Sequence, residues 1–158
     1  MNNTEIERKF LTASDAWRAE ISHSEMLRQG YLSDDKARTV RVRVVDNAEA
    51  WLTIKGLTIN NSRPEYEYSI PVADANALLD TLCKRPLLEK IRHRVCVAGV
   101  TWEVDEFLGD NAGLVVAEIE LNAVDQEFSR PAWLGQEVSA DPRYFNSSLA
   151  QQPFKDWR

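Results

Sequence analysis

Charged side chains recur at every second position along much of this chain. The first segment carries Glu5, Glu7 and Lys9, and in an extended strand these three side chains point to one face. Two carboxylates and an ammonium in a row are suited to bind a divalent cation and an anion side by side. The same alternate spacing recurs in acidic pairs at Glu65/Glu67, Glu103/Asp105 and Glu118/Glu120, and in basic positions at Arg41/Arg43, Lys55 and Lys90/Arg92.

Two interpretations of this alternation are open. An antiparallel sheet with one solvated face also alternates charged and apolar residues, and opposite charges on neighbouring strands then form cross-strand pairs. A solvated face usually mixes Thr, Ser, Gln and Lys, however, whereas these positions are almost all Glu, Arg or Lys and repeat one sign along a strand. Charged walls around a ligand fit that pattern better, and a complex of polyphosphate with Mg²⁺ or Mn²⁺ would satisfy both signs.

Periodicity does not say whether the charges point inward. If they do, the apolar faces need to be covered by helices or by a partner subunit.

The elements that must position these charges are mainly β-strands. Short helices are predicted at residues 13–21, 73–82, 131–134 and 144–151. Eight strands are predicted from period-2 alternation, at residues 5–11, 25–33, 39–45, 51–55, 63–70, 88–97, 101–107 and 114–121. This count predicts a mainly β (α+β) chain, built as a β-barrel or strongly curved antiparallel sheet with a few flanking helices. We expect one domain over residues 1–158.

Composition excludes several classes of function. The 158 residues include 19 basic and 25 acidic side chains, and the resulting net charge of −6 argues against non-specific binding to nucleic acid or to anionic membranes. No apolar run is long enough to span a membrane. Residues 1–4 do not resemble a secretory signal, so Cys83 and Cys96 are expected to be free thiols of a cytoplasmic protein.

The charged motifs, taken in order, resemble a known family. They begin with Glu5-x-Glu7-x-Lys9 followed by Phe10-Leu11, and they end with Glu118-Ile119-Glu120 and the tail segment 141–146. Between these lie Arg41-x-Arg43, Thr53-Ile54-Lys55-Gly56, Arg63-x-Glu65-x-Glu67, Lys90-x-Arg92 and Asp105. Together they resemble the CYTH family, the triphosphate tunnel metalloenzymes, over nearly the whole chain.

The resemblance implies an eight-stranded antiparallel barrel that forms a tunnel with the charges inside. Family members include inorganic, thiamine and RNA triphosphatases and a class of adenylate cyclase, and the opening motif looks most like that of the small bacterial inorganic triphosphatases. Metal-dependent hydrolysis of tripolyphosphate to pyrophosphate and phosphate is therefore the first prediction. An adenylate cyclase, a nucleoside or thiamine triphosphatase, or a non-catalytic polyphosphate-binding module are the alternatives.

The resemblance also implies roles for individual residues. Phosphate oxygens would be bound by Lys9, Arg41, Arg43, Lys55, Lys90 and Arg92. Mg²⁺ or Mn²⁺ would be held by Glu5, Glu7, Glu118 and Glu120, with Asp105, Glu65 and Glu67 as second candidates. The catalytic set would be Glu5, Glu7, Lys9 and Tyr31. The expected partner is a small triphosphate substrate, and the apolar outer faces are compatible with a homodimer.

Overall fold

The computed structural model describes residues 3–157, and antiparallel β-strands make up about half of them. Two α-helices are present, α1 (Val72–Thr81) and α2 (Asn146–Gln151). Single 3-10 turns occupy Ala16–Glu20, Gly109–Asn111, Pro142–Tyr144 and Phe154–Asp156. The strands are β1 (Thr4–Thr12), β2 (Ile21–Ser33), β3 (Arg38–Val45), β4 (Glu49–Gly56), β5 (Ser62–Ser69), β6 (Leu88–Val97), β7 (Val100–Phe107), β8 (Val115–Glu120) and β9 (Leu134–Glu137).

Eight of these strands close into a barrel. Their hydrogen-bonded order is β5-β4-β3-β2-β6-β7-β8-β1, and β1 then pairs with β5 to complete the circle. The closing pairs are antiparallel and place Glu5 opposite Arg63. The short strand β9 pairs with the far half of β1, where Phe10 lies opposite Glu137. The predicted eight-stranded antiparallel barrel is therefore confirmed, with β9 as an addition to it.

The charged faces of the strands point into the barrel. On β3, Val42 and Val44 lie on the opposite face from Arg41 and pack in a buried cluster with the α1 side chains Ala75 and Leu79. A helix thus covers the apolar outer face of β3 and β4, as an inward charged face requires.

A second apolar cluster covers the outside of β1, β6, β7 and β8. Phe10, Trp102 and Ala117 are fully buried there, under Trp17 and Trp133. Phe10 and Trp102 meet edge to face, with ring centroids 5.8 Å apart. The outer surface of these strands is therefore covered by the chain's own connecting segments.

One end of the barrel interior is apolar rather than charged. The inward rows of β2, β6 and β7 end in Tyr31, Leu88 and Phe107, which form a buried cluster with Leu149 and Ala150 of α2. This packing fixes α2 against the end of the charged interior.

Two of the predicted helices are wrong in detail. Residues 131–134 form no helix, because Leu134 is already the first residue of β9. β9 lies close against β1, and a Cβ on Gly135 would lie 2.9 Å from the Leu11 carbonyl oxygen. The predicted helix at 13–21 reduces to one 3-10 turn, and β2 begins at Ile21, because its first residues pair with β6. None of the helices among residues 3–157 is long and apolar enough to cross a bilayer.

Candidate active site

The barrel interior contains a cavity whose walls are almost entirely charged or polar. Twelve of the fourteen predicted site residues line it, and only Lys90 and Asp105 do not. Its acidic residues are Glu5, Glu7, Glu65, Glu67, Glu103, Glu118 and Glu120, and its basic residues are Lys9, Arg41, Arg43, Lys55, Arg63 and Arg92.

Register on β1 and β8 brings the first ion pair together. Lys9 lies directly opposite Glu118, and Lys9 Nζ is 2.8 Å from Glu118 Oε1 and 3.2 Å from Glu7 Oε1. Burial alone would raise the pKa of Glu118, but the charges of Lys9 and Arg92 hold it well below its usual value. Glu118 is therefore an ionised, paired carboxylate.

A second group of ion pairs spans β1, β4 and β5. Lys55 Nζ lies 3.0 Å from Glu5 Oε1 and 3.4 Å from Glu65 Oε2, and Arg63 Nε lies 3.3 Å from Glu5 Oε1. Burial opposes ionisation of Glu5, yet Lys55 and Arg63 lower its pKa to about 2. Burial and the hydrogen bond to Glu5 raise the pKa of Glu65 to about 7. Glu5 is therefore ionised, whereas Glu65 is protonated more readily than an ordinary glutamate.

Asp105 and Lys90 lie behind the cavity wall. Both side chains are fully buried, and Lys90 Nζ is 2.7 Å from Asp105 Oδ2. Arg92 completes the group, with Nε 2.8 Å from Asp105 Oδ1 and Nη2 2.9 Å from Oδ2. Burial lowers the pKa of Lys90 to about 7 despite its pairing. Asp105 therefore orients Arg92, which does reach the cavity.

Glu7 and Glu120 are acidic side chains that their basic neighbours balance only in part, because Lys9 contacts Glu7 at 3.2 Å but pairs more closely with Glu118. They lie directly opposite each other on β1 and β8, an arrangement of like charges that destabilises a sheet. Burial and the charges of Glu118 and Glu5 raise the pKa of Glu7, although Lys9 opposes the shift. The pKa of Glu120 is also raised, by burial and by the carboxylates around it. A bound cation would relieve this repulsion.

Oxygen donors of this kind suit Mg²⁺ or Mn²⁺. Among residues 3–157, however, no group of three or more Asp, Glu, His or Cys side chains is arranged to hold a metal ion. In this arrangement Lys9 and Lys55 donate hydrogen bonds to oxygens of Glu118 and Glu5. The donor chemistry fits a divalent ion, while the carboxylates are engaged by lysines.

Some residues of the site were given no role from the sequence. Arg63 and Glu103 line the cavity, and each lies two positions from a predicted residue on the same strand, so alternation contained the signal for both. Asn146 and Ser147 come from the first turn of α2, where no periodic pattern identifies them. Gln29 is fully buried in β2 and contacts Arg43, and its neutral side chain gave no signal among the charged pairs.

Comparison with known proteins agrees with this architecture. A protein of Acetivibrio thermocellus named inorganic triphosphatase is 49% identical over 154 residues, covering 98% of this chain and 97% of the relative. A protein of Nitrosomonas europaea with the same name is 37% identical, covering 93% and 97%. The crystal structure of an inorganic triphosphatase superposes with a TM-score of 0.65 at 36% identity, covering 92% of this chain and 97% of that one. The CYTH domain matches residues 3–152. The chain therefore belongs to the CYTH family.

Proposed function

We propose that this chain hydrolyses inorganic tripolyphosphate to pyrophosphate and phosphate, with a divalent metal ion, in the cavity inside the barrel. The observation that carries the proposal is the lining of that cavity by six basic and seven acidic side chains. The function predicted from the sequence agrees with the names of the two curated relatives.

The charge balance of the cavity supports the need for metal. Six cations and seven carboxylates sum to −1 if all are ionised, and protonation of Glu65, whose pKa is raised to about 7, brings the sum only to zero, so the metal-free cavity attracts a polyanion weakly. One divalent ion would make the sum positive, and the two signs could then serve different parts of one metal–triphosphate complex. Membership of the CYTH family implies a divalent metal, and an all-carboxylate donor set favours Mg²⁺ or Mn²⁺ over softer ions.

The phosphate oxygens would be bound by the cavity's basic side chains, namely Lys9, Arg41, Arg43, Lys55 and Arg92, with Arg63 added from the structure. Arg side chains present a planar fork that fits phosphate oxygens, and Lys acts as a point charge. Lys9 and Lys55 are paired with Glu118 and Glu5, so a phosphate that attracts these lysines would leave the carboxylates available.

The metal ion would be held by Glu5, Glu7, Glu118 and Glu120, with Glu65 and Glu67 as second candidates. When bound, a divalent ion neutralises charge on the phosphates and lowers the pKa of the water molecule bound to it. The chain's own contribution is a set of positioned charges that stabilises negative charge on the departing pyrophosphate. Tyr31 lines the same cavity and faces Arg41 across the β2–β3 pair, where its hydroxyl can help orient the substrate. Lys90 and Asp105, being fully buried, would act by holding Arg92.

A nucleoside or thiamine triphosphate is the alternative substrate that one observation favours. A second recess shares Thr39, Arg63 and Phe145 with the cavity and adds Leu57 and Ala140. An apolar and aromatic surface of this kind can contact a base or a thiamine ring.

A substrate panel tests the proposal. Purified protein is incubated with tripolyphosphate, ATP or thiamine triphosphate, each with Mg²⁺ or Mn²⁺, and the products are identified. We expect tripolyphosphate to give equal amounts of pyrophosphate and phosphate, at a higher kcat/KM than the other two. Absence of cleavage with both metals would refute the hydrolase, cyclic AMP from ATP would identify a cyclase, and binding without turnover would identify a binding module. The single domain, the homodimer and the cytoplasmic location stay predictions.

A further inference from the structure

Arg43 differs from the other basic side chains of the cavity. Lys9, Lys55, Arg63 and Arg92 each form an ion pair with a buried or half-buried carboxylate. Arg41 lies 3.7 Å from Glu67. Within residues 3–157, Arg43 is in no ion pair, and its one side-chain hydrogen bond is to a neutral group. Burial and the charges of Arg41 and Arg92 lower the pKa of Arg43 to about 9. An anion placed there would meet a partly buried cation that no carboxylate of residues 3–157 pairs with directly.

Gln29 is the neutral group that holds this guanidinium. It lies opposite Arg43 in the β2–β3 pair, is fully buried, and accepts a hydrogen bond from Arg43 Nε at 2.8 Å. A guanidinium has donors only, so the Gln29 amide oxygen must face it and the amide NH₂ must face an acceptor.

The acceptor is on the C-terminal helix. Gln29 Nε2 donates to Asn146 Oδ1 at 3.4 Å, and the same oxygen accepts a hydrogen bond from Lys90 Nζ at 2.9 Å. Arg43 Nε and Lys90 Nζ therefore donate to the amide oxygens at the two ends of the chain Arg43–Gln29–Asn146–Lys90, and these hydrogen bonds fix the orientation of both amides between them.

Occupation of Nε by Gln29 determines what Arg43 can do. The two terminal nitrogens of the guanidinium are left for a ligand in the cavity, and these form the part of the fork that binds two oxygens of one phosphate. In Arg41, by contrast, a terminal nitrogen donates to Thr53 Oγ1 at 3.2 Å, and the buried Nε has no partner. A glutamate at position 29 would hold Nε equally well but would place a competing negative charge beside it.

We propose that Gln29 is a positioning residue that holds Arg43 as the cavity's free anion-binding group, and that Asn146 ties this arrangement to helix α2. The neutrality of Gln29 is as important as its acceptor oxygen, because it leaves the positive charge of Arg43 to the substrate. The inference rests on the proposed triphosphatase function only for the identity of the anion.

Two substitutions of Gln29 test its acceptor oxygen and its neutrality separately. Gln29→Met keeps the shape of the side chain but removes the acceptor, and Gln29→Glu keeps the acceptor but adds a charge. For each, kcat and KM for tripolyphosphate are measured, together with its Kd by calorimetry in EDTA. Hydrogen bonds to charged groups support an expected loss of about 10- to 100-fold in kcat/KM for Gln29→Met. For Gln29→Glu we expect a Kd raised at least about 10-fold, because its carboxylate competes with phosphate.

A control and a double-mutant cycle exclude a packing effect. Leu27→Met changes a buried residue on the same face of β2 that does not line the cavity, and it should leave kcat/KM within about twofold. In an Arg43→Lys background, Gln29→Met should have no further effect, because the group it positions is gone. Equal losses in both backgrounds, or wild-type affinity in Gln29→Glu, would overturn the inference. If wild-type protein binds tripolyphosphate without hydrolysing it, the proposed function fails while the role of Gln29 is still decided by the values of Kd.

Discussion

Asp105→Asn distinguishes a carboxylate that orients an arginine from one that binds metal. The resemblance made Asp105 a second-choice metal ligand, yet its side chain is fully buried and lies behind the cavity wall. Arg92 and Lys90 make three charge-assisted contacts with its two oxygens, at 2.7 to 2.9 Å. The substitution keeps the shape but removes the charge that pairs with Lys90, and it leaves Arg92 only its longer contacts to Glu103 and Glu118 at 3.3 and 3.5 Å.

The structure sets the expected size of the effect. Removal of one partner of a buried ion pair destabilises a protein by about 3–5 kcal/mol, and the remaining amide oxygen places Asp105→Asn near the lower value. A loss of about 3 kcal/mol corresponds to a decrease in Tm of roughly 6–12 °C for a chain of this size. Because Arg92 would no longer be held, we also expect kcat to fall, whereas the Mn²⁺ concentration at half-maximal rate should not change.

Urea unfolding at pH 7 and a Mn²⁺ titration of the rate measure these two quantities separately. Asp110→Asn is the matched control, because Asp110 pairs with Lys155 at 3.2 Å and both side chains are about half exposed. That change should alter the free energy of unfolding by less than about 1 kcal/mol. The reasoning is refuted if Asp105→Asn is as stable as the control and needs more Mn²⁺ for activity, since Asp105 would then be a metal ligand.

Three further substitutions test the packing and the charges of the barrel. In Gly30→Ala the new Cβ would lie 2.7 Å from Leu87 Cδ2 and 2.9 Å from Cys83 Cβ, so urea unfolding should show a loss of about 1–3 kcal/mol. An unchanged midpoint would mean that the segment after α1 packs less closely on β2. Glu120→Gln should raise Tm in the absence of metal, because it removes the like charge that faces Glu7. It should also reduce the increase in Tm that Mn²⁺ produces, and a larger increase than in the wild type would contradict this. The hydrogen bond from Arg8 lowers the pKa of Glu137 below 4.5, so this pair stabilises the fold above that pH and the contribution is lost as pH falls. Glu137→Gln should therefore be about 0.5–1 kcal/mol less stable than the wild type at pH 7, and urea unfolding at decreasing pH should show this difference disappear as Glu137 becomes protonated.

Most of the site residues could be predicted from the alternation of charged residues along the strands. Because strand side chains repeat every two residues, Arg41 and Arg43 had to share a face, as did Glu5 and Glu7. The direction of that face depended on tertiary structure, since either face of β3 can be buried. Helix α1 settles it by packing on Val42 and Val44.

The neutral parts of the site could not be predicted in the same way. Gln29 lies between Leu27 and Tyr31 on one face of β2, and its importance comes from a hydrogen bond to Arg43 that only the β2–β3 register creates. Asn146 reaches the site from a six-residue helix in the C-terminal tail. Strand β9 was missed because four residues that pair only with one edge of β1 have no periodicity of their own.

The most direct test of the central claim is the rate of phosphate release from tripolyphosphate by Arg41→Ala and Glu7→Gln. Each change removes one charge from the cavity wall, and removal of one positioned group from an electrostatically preorganised site lowers rates by about 100-fold or more. With Mg²⁺ or Mn²⁺ present, we expect both variants to lose most activity while their circular dichroism spectra match that of the wild type. Near-wild-type rates in both folded variants would show that the reaction does not take place among the charges inside the barrel.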